Sequence, residues 1–529
     1  MFKTLKDWLL YPFLHDILFF CLVFVLISSP TFYFRYNLYV QSGHLFVPYY
    51  IYLGMTFFII SYLITLISNI SKLLSQYFKP VIAFFLSFFS LLNFFCVNTY
   101  HCLLSADYIE IIAGTNWQET KEFVNTNLTN TDLLFISLYL FIFVFLSIVF
   151  AKNQVLLHKY GVKTCAVVLW VSSIVVWKKY EVISEDIGFS SEGRHWNFKF
   201  EEIVDLRLHP THPNFVESDS LHPTNIIVVI GESFAKKHSS LYGYELETNP
   251  LLKKMEMDGN LIVFKNVESP ATTTIKVFKY LLTTYQLGNE SGEKKFYDYT
   301  NVPESFNTLH YNTWWISCQE ETGMYDNLPS GYSKLCDHVI FDKRNQPEKH
   351  DDFLITALHP KELEGNNFII YHMYGQHPSF CNRYPDSFCK FGPKNKLGKN
   401  AEKSIALADY DNATLFNDYV VSSIMDLYKD YNAIILYFSD HGMDLFDSDD
   451  SQFGHANSTE LSTKIGKQIP FMIYLTNDFI IRYPQLSNRI QNCSQKAFCT
   501  DKLIYTLLDI AGYRFADNCD VAKFSLLTE

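Results

Sequence analysis

No run of clustered lysine and arginine occurs in this 529-residue sequence, and its formal net charge is −12. Neutralising a phosphate backbone takes such a basic stripe, so a general nucleic-acid binder is excluded. The first third has few charges and long apolar runs, whereas the remainder is polar, and the mean hydropathy of +0.02 averages the two. With 48% hydrophobic and 17% aromatic residues at this length, two unlike parts are expected rather than one domain. A clear small-residue cleavage site is also missing after the first apolar run, which is long for a signal-peptide core, so an uncleaved anchor is expected. Seven of the eleven cysteines (Cys318, Cys336, Cys381, Cys389, Cys493, Cys499 and Cys519) fall in the polar part, which suits an oxidising compartment. Cys381 with Cys389, and Cys493 with Cys499, are near enough in sequence to close short loops, with buried free thiols as the alternative.

What is present in the first third is hydrocarbon. Four stretches, near 13 to 32, 48 to 69, 80 to 99 and 133 to 151, reach the length of about 20 residues that a bilayer core requires. A fifth, VKTCAVVLWVSSIVVW at 162 to 177, is shorter, a marginal span or a buried helix. Lys3 and Lys6, Lys72 and Lys79, and Lys152, Lys159 and Lys163 mark cytoplasmic loops by the positive-inside rule, and favour a span at the fifth stretch. The loop from about 100 to 132 carries Asp107, Glu110, Glu119, Glu122 and Asp132 against Lys121, as an outer loop does, while Lys178 and Lys179 run against the rule. Five crossings place everything after residue 180 outside. The expected organisation is a membrane domain over 1–180, a linker over 181–220 and an outer domain over 221–529.

In the outer domain four continuously apolar runs, NIIVVIG from Asn225, NFIIYHMYG from Asn367, NAIILYFSD from Asn432 and IPFMIYL from Ile469, suit parallel strands buried on both faces. Segments with helical spacing, such as Ala401 to Tyr428, lie between them, so the fold class is α/β with helices covering a mostly parallel central sheet. Ligands in such sheets sit beyond the carboxyl ends of the strands. Gly231-Glu232-Ser233, Gly375-Gln376-His377 and Ser439-Asp440-His441-Gly442 stand there.

Glu232, Asp440 and His441 make a donor set that suits Zn²⁺ with one position open. A hydroxyl is attractive as the fourth donor, because a cation lowers its pKa and makes it a nucleophile; Ser269-Pro270-Ala271-Thr272-Thr273-Thr274 offers candidates. Each residue alone has a bland reading, a surface carboxylate or a chance Asp-His-Gly triplet, but their occurrence at successive strand ends is harder to ascribe to chance. Asp444 and Asp447 lie near the Asp-His-Gly triplet. Ser233 lacks the second glycine of a GxSxG elbow. Its expected task is a hydrogen bond that positions Glu232 or caps a helix beginning near Phe234.

From Asn225 to about Leu475 the chain resembles the membrane-bound phosphoethanolamine transferases of Gram-negative bacteria, a group that modifies lipid A and other envelope glycans and includes polymyxin-resistance enzymes. These belong to the alkaline phosphatase and sulfatase superfamily. Five signatures occur in the family's order: VVIGESFAKKHSSLYGYELETNPLL from Val228, NVESPATTT from Asn266, HMYGQHPSFCNRYP from His372, DYDNATLFNDYVV from Asp409, and FSDHG from Phe438 followed by FGHA from Phe453. The resemblance implies five transmembrane helices in the inner membrane and a periplasmic catalytic domain. It implies zinc on Glu232, Asp440 and His441, Thr272 as both nucleophile and ligand, and His377 and His455 as contacts of the phosphoethanolamine group. The implied reaction takes phosphoethanolamine from phosphatidylethanolamine, through a phosphoethanolamine-threonine intermediate, to lipid A or another envelope glycan, releasing diacylglycerol. Ser233 where the family often has Thr, Met443 where it often has Glu, and Pro270-Ala271 where it often has Cys-Gly depart from the pattern. A glycerol-phosphate transferase similar to the lipoteichoic acid synthases, and a membrane-anchored binding protein with a structural metal, are the alternatives.

Overall fold

The protein is described from a computed structural model, which covers residues 10, 12–13, 16–42, 47–70, 74–100, 120–121 and 130–152, and then 206–528 except 219–221, 320, 322–327, 345–349, 395–400, 450–452, 455–459 and 517–522. The chain divides into two compact units, residues 1–112 with 123–199, and residues 113–122 with 200–529.

The first unit contains α1 (Ile17–Ser42), α2 (Val47–Ser68), α3 (Lys79–Tyr100) and α4 (Asn130–Lys152), which fall on the four apolar stretches. Among the described residues one stretch, Gln76–Val97, is long and apolar enough to cross a membrane, and shorter apolar helices run over Ile17–Tyr33, Gly54–Ser68 and Ile136–Val149. The fifth stretch, 162 to 177, lies outside the described residues. Phe19, Leu22, Val23 and Leu26 of α1 pack with Ala83 of α3, flanked by Tyr139, Phe143 and Leu146 of α4. Beside this apolar contact the Lys79 Nζ lies 2.6 Å from Asp16 Oδ2, and Asn69 Nδ2 donates to the same oxygen at 2.6 Å. Either charge alone would be costly in such surroundings, so the two neutralise each other.

The second unit is built on a seven-stranded sheet. Its strands are β1 (Asn225–Gly231), β2 (Leu261–Phe264), β3 (Asn312–Ser317), β4 (His338–Phe341), β5 (Asn367–His372), β6 (Ala433–Ser439) and β7 (Phe471–Leu475). Their spatial order is β2-β7-β6-β1-β5-β3-β4. The apolar runs form strands because both faces are covered: Ile226, Val228 and Ile230 of β1 enter one core layer, Ile227 and Val229 the other. The first layer is closed by α5 (Thr274–Leu281) through Val277, Phe278 and Leu281, and the second by α6 (Ala401–Tyr428) through Phe416, Val420, Ile424 and Tyr428. From β6 through β1, β5 and β3 to β4 every pairing is parallel. The run at Ile469 departs from its expected direction, because β7 is antiparallel to both β2 and β6. A strand buried on both faces has the same unbroken apolar pattern in either direction, so composition carries no sign of this reversal. The expected helix at Phe234 is likewise replaced by two short 3₁₀ turns, Lys236–His238 and Ser240–Tyr242.

His372 ends β5 with its ring buried against Phe278 (5.5 Å) and Trp315 (5.6 Å), and Nδ1 lies 3.1 Å from Ser317 Oγ. Burial pushes its pKa down to about 4 despite the nearby charge of Glu232. The unfolded chain then takes up a proton that the native state refuses. Stability is complete above the ordinary value of 6.5 and declines as the pH falls from there toward 4, by a limit on the order of 3 kcal/mol. Denaturant unfolding of the full chain in detergent at pH 7.5 and pH 5 tests this: His372→Gln should remove about 2 kcal/mol of the acid-induced loss, and an unchanged pH dependence in the variant would refute it.

Candidate active site

Parallel pairing sets Gly231 of β1 opposite Ser439 of β6, so the residues that follow, Glu232 and Asp440-His441, leave the sheet side by side. Side chains and backbone lace the two loops together. Asp440 N–H donates to Gly231 O at 2.9 Å, Ser233 N–H to Asp440 Oδ1 at 3.2 Å, and Phe234 N–H to Ser439 Oγ at 2.8 Å, while that hydroxyl donates to His441 O at 2.8 Å. Ser233 stands at φ 57°, a left-handed conformation costly for a residue with a Cβ, and its hydroxyl donates to Glu232 Oε1 at 2.7 Å. This is the positioning bond expected of it. Tyr410 of α6 completes the bracing: its hydroxyl accepts from Ala235 N–H at 2.6 Å and donates to Ser233 O at 2.8 Å. The glycine of Asp-His-Gly is a packing requirement, since a Cβ at Gly442 would sit 2.7 Å from the Gln468 carbonyl oxygen.

Glu232, Asp440 and His441 are all buried, with one donor atom of each lying within 4.8 Å of the others. The orientation of the imidazole follows from its neighbour. His441 Nδ1 lies 2.8 Å from the Gly442 carbonyl, which only accepts, so Nδ1 carries the hydrogen and Nε2 is the nitrogen turned to the carboxylates. Nε2 is 3.3 Å from Glu232 Oε1 and 3.5 Å from Asp440 Oδ2. Asp440 Oδ2 is buried with no hydrogen-bond partner among the described residues.

Electrostatics say what the cluster lacks. Burial opposes the charge of Glu232, but the bond and charge of His441 hold it well below the usual carboxylate range. Burial and the repulsion of Glu232 push Asp440 up to about 7; His441, opposed by burial, is drawn up to about 9 by Asp440 and Glu232. Two carboxylates and one imidazole in so dry a place draw in positive charge. With an orphaned carboxylate oxygen and a ring nitrogen aimed between two acids, these three side chains fit a divalent cation.

The hydroxyl that joins them is that of Thr274. Its Oγ1 donates to Glu232 Oε2 at 3.1 Å and lies 3.4 Å from His441 Nε2. Thr272, the position expected from the resemblance, makes no hydrogen bond to the cluster among the described residues, whereas Thr274 does. The reason is local. Thr273 is extended (φ −137°, ψ 142°) and α5 begins at Thr274, so the change from extended to helical backbone turns the last threonine of the run into the site. His377 lies in the turn after β5, its Nδ1 buried with no hydrogen-bond partner among the described residues. His455 lies outside the described residues. Asp444 and Asp447 are committed elsewhere: Asp444 accepts from Ser448 and Ser462, and Asp447 Oδ2 is 3.3 Å from His238 Nε2. Among the described residues, Cys318, Cys336, Cys389, Cys493 and Cys499 form no disulfide.

The Sulfatase family model matches residues 224–513. The chain belongs to the sulfatase family. Among curated proteins it is similar to phosphoethanolamine transferase EptC of Escherichia coli, 28% identical over 317 residues, which are 58% of this chain and 54% of that one. It is also similar to Kdo(2)-lipid A phosphoethanolamine 7''-transferase of Escherichia coli, 24% identical over 318 residues, 59% of this chain and 52% of that one. The chain thus spans about half the length of the curated relatives it matches. Among solved structures, the C-terminal periplasmic domain of Escherichia coli EptC in complex with Zn superposes with a TM-score of 0.53 at 27% identity, covering 60% of this chain and 90% of that one. The integral membrane lipooligosaccharide phosphoethanolamine transferase A of Neisseria meningitidis superposes with a TM-score of 0.69 over 93% of this chain and 95% of that one; at 15% identity this is a likeness of fold.

The cluster predicts one divalent metal per chain. Glu232→Gln and Asp440→Asn should each weaken metal binding by roughly 100-fold or more, beyond the cost of losing a residue behind a ligand. Metal content after dialysis against a chelator-buffered solution measures this, and full occupancy in the double variant would overturn the assignment.

Proposed function

We propose that this chain is a zinc-dependent phosphoethanolamine transferase that takes its group from phosphatidylethanolamine and passes it to lipid A or another envelope glycan. One observation carries the reading: a threonine hydroxyl lies within hydrogen-bond distance of a buried Glu-Asp-His cluster, in a chain whose relatives are named phosphoethanolamine transferases. The nucleophile assigned is Thr274, in place of Thr272. Zinc held by Glu232, Asp440 and His441 would supply the positive charge that lowers the pKa of this hydroxyl and balances phosphoryl oxygen.

The chain's own residues do the rest. The bond from Thr274 to Glu232 Oε2 fixes the hydroxyl proton and leaves the oxygen lone pairs for phosphorus. Attack forms a bond from Oγ1 to phosphorus and breaks the bond to the glycerol oxygen, which departs with a proton as diacylglycerol. In the second step an acceptor hydroxyl attacks the same phosphorus, the bond to Thr274 breaks, and its oxygen regains a proton. His377 and His455 are assigned to the equatorial phosphoryl oxygens or to protonation of the leaving oxygen. The membrane part suits a lipid donor, because an anchor confines enzyme and donor to one surface. We assign five spans over residues 1–180, a linker over 181–220 and a periplasmic catalytic domain over 221–529, in an inner membrane.

The full chain with labelled phosphatidylethanolamine tests the reading. Thr274→Ala should lower diacylglycerol release by roughly a thousandfold or more, while Thr272→Ala stays within about threefold of wild type. Mass spectrometry of the trapped intermediate should place phosphoethanolamine on Thr274. An adduct on Thr272 would overturn the assignment, and turnover of phosphatidylglycerol in place of phosphatidylethanolamine would overturn the donor.

A further inference from the structure

Asp351 lies far from the cluster in sequence, and no part of the mechanism above uses it. It is buried, and its carboxylate accepts two consecutive backbone N–H groups, Tyr374 on Oδ1 at 2.7 Å and Gly375 on Oδ2 at 2.8 Å. These residues open the turn that carries His377. The remaining backbone groups of the turn are tied to the site and its frame. Met373 N–H donates to Ile230 O at 3.0 Å, Gln376 N–H to Glu232 O at 2.9 Å, and His377 N–H to Tyr374 O at 3.2 Å. Gln319 Nε2 donates to Met373 O at 2.9 Å. Gly375 stands at φ 53° so close to Glu232 that a Cβ would lie 2.7 Å from its backbone N and O. The turn is therefore pressed on Glu232 from one side and held by a carboxylate from the other.

A buried carboxylate is costly, and burial raises the pKa of Asp351 against the two N–H bonds and the charge of Arg383. Arg383 in turn stacks its guanidinium on the Tyr374 ring at 4.5 Å, and Tyr374 meets the His377 ring edge-on at 6.1 Å. We infer that Asp351 is a positioning residue for His377, setting the distance of that imidazole from Glu232 through the Tyr374-Gly375 backbone. The inference rests on the assignment of His377 to the transferred group.

The test is a double-mutant cycle in the full-length enzyme. Asp351→Asn keeps the shape but loses one acceptor. It should retain zinc and lower kcat by roughly 10- to 100-fold with KM changed by less than about threefold, the penalty expected when a reacting group is displaced by about 1 Å. In a His377→Ala background the same change should cost less than about twofold, because its route is already cut; Asp351→Glu, which keeps both acceptor oxygens, should recover part of the loss. Equal factors in both backgrounds, an unchanged kcat, or a loss of activity in proportion to lost zinc would overturn the inference. If Asp351→Asn does not fold, Asp351→Glu carries the cycle. If wild type transfers nothing from any donor, the functional reading fails, and histidine NMR decides the positioning claim: the His377 ring resonance, assigned with His377→Gln, must move in the Asp351 variant, and an unmoved resonance would reject it.

Discussion

Backbone hydrogen bonding between β1 and its two parallel neighbours pairs Gly231 with Ser439 and Ile230 with His372. From that register the rest follows. Three strands that run the same way finish at the same level, so residues separated by more than 200 positions in sequence, Glu232 and Asp440, emerge as neighbours. A slip by one residue would turn every side chain of β1 to the opposite core layer, exchanging Ile226, Val228 and Ile230 for Ile227 and Val229. The cost of that exchange protects the alignment of the loops that carry Glu232 and Asp440-His441. The site is thus held by the hydrophobic pattern of strands that never touch a substrate.

Against that rigid frame the cluster is electrostatically unsatisfied. Two carboxylates and an imidazole share a dry space, and the hydrogen bonds around them fix atoms more than they neutralise charge. Ser233 accepts an unfavourable backbone conformation to reach Glu232, and Tyr410 is spent on holding Ser233. Strain and an orphaned Asp440 oxygen persist here because the surrounding sheet over-determines the loops. A cation answers the imbalance directly, and the same positive charge acts on Thr274, whose hydroxyl touches two of the three donors.

Much of this arrangement is legible in the sequence, and the reasons for the rest are physical. The four apolar runs announce strands because burial on both faces leaves no polar alternation to read, and the strand-end rule then singles out Glu232, Asp440, His441 and His377. The direction of β7 is invisible for the same reason that its existence is plain: an unbroken apolar run is symmetric under reversal. Short strands such as β4, with His338 and Val339 exposed at the sheet edge, carry too little burial to stand out. Which threonine meets the cluster is not legible, because counting from Asn266 cannot say where extended chain gives way to helix. Three identical side chains in a row offer no contrast, and only the start of α5 separates them. Asp351 is hidden in a different way, since its partners are backbone N–H groups, which have no sequence signature.

Thr274 and the turn at His377 are also joined beneath the surface. Phe278, one helical turn beyond Thr274, packs on the ring of His372, and His372 is the last residue of β5, immediately before the turn. The ring is buried between Phe278 and Trp315, and that burial disfavours its charged form. Its size sets the separation of α5 from β5, and therefore the depth at which Thr274 meets Glu232. A larger ring would press the helix outward and a smaller side chain would let it settle, each altering a 3.1 Å contact from below. The strand that leads into the turn of His377 from its end thus also supports Thr274 from its face.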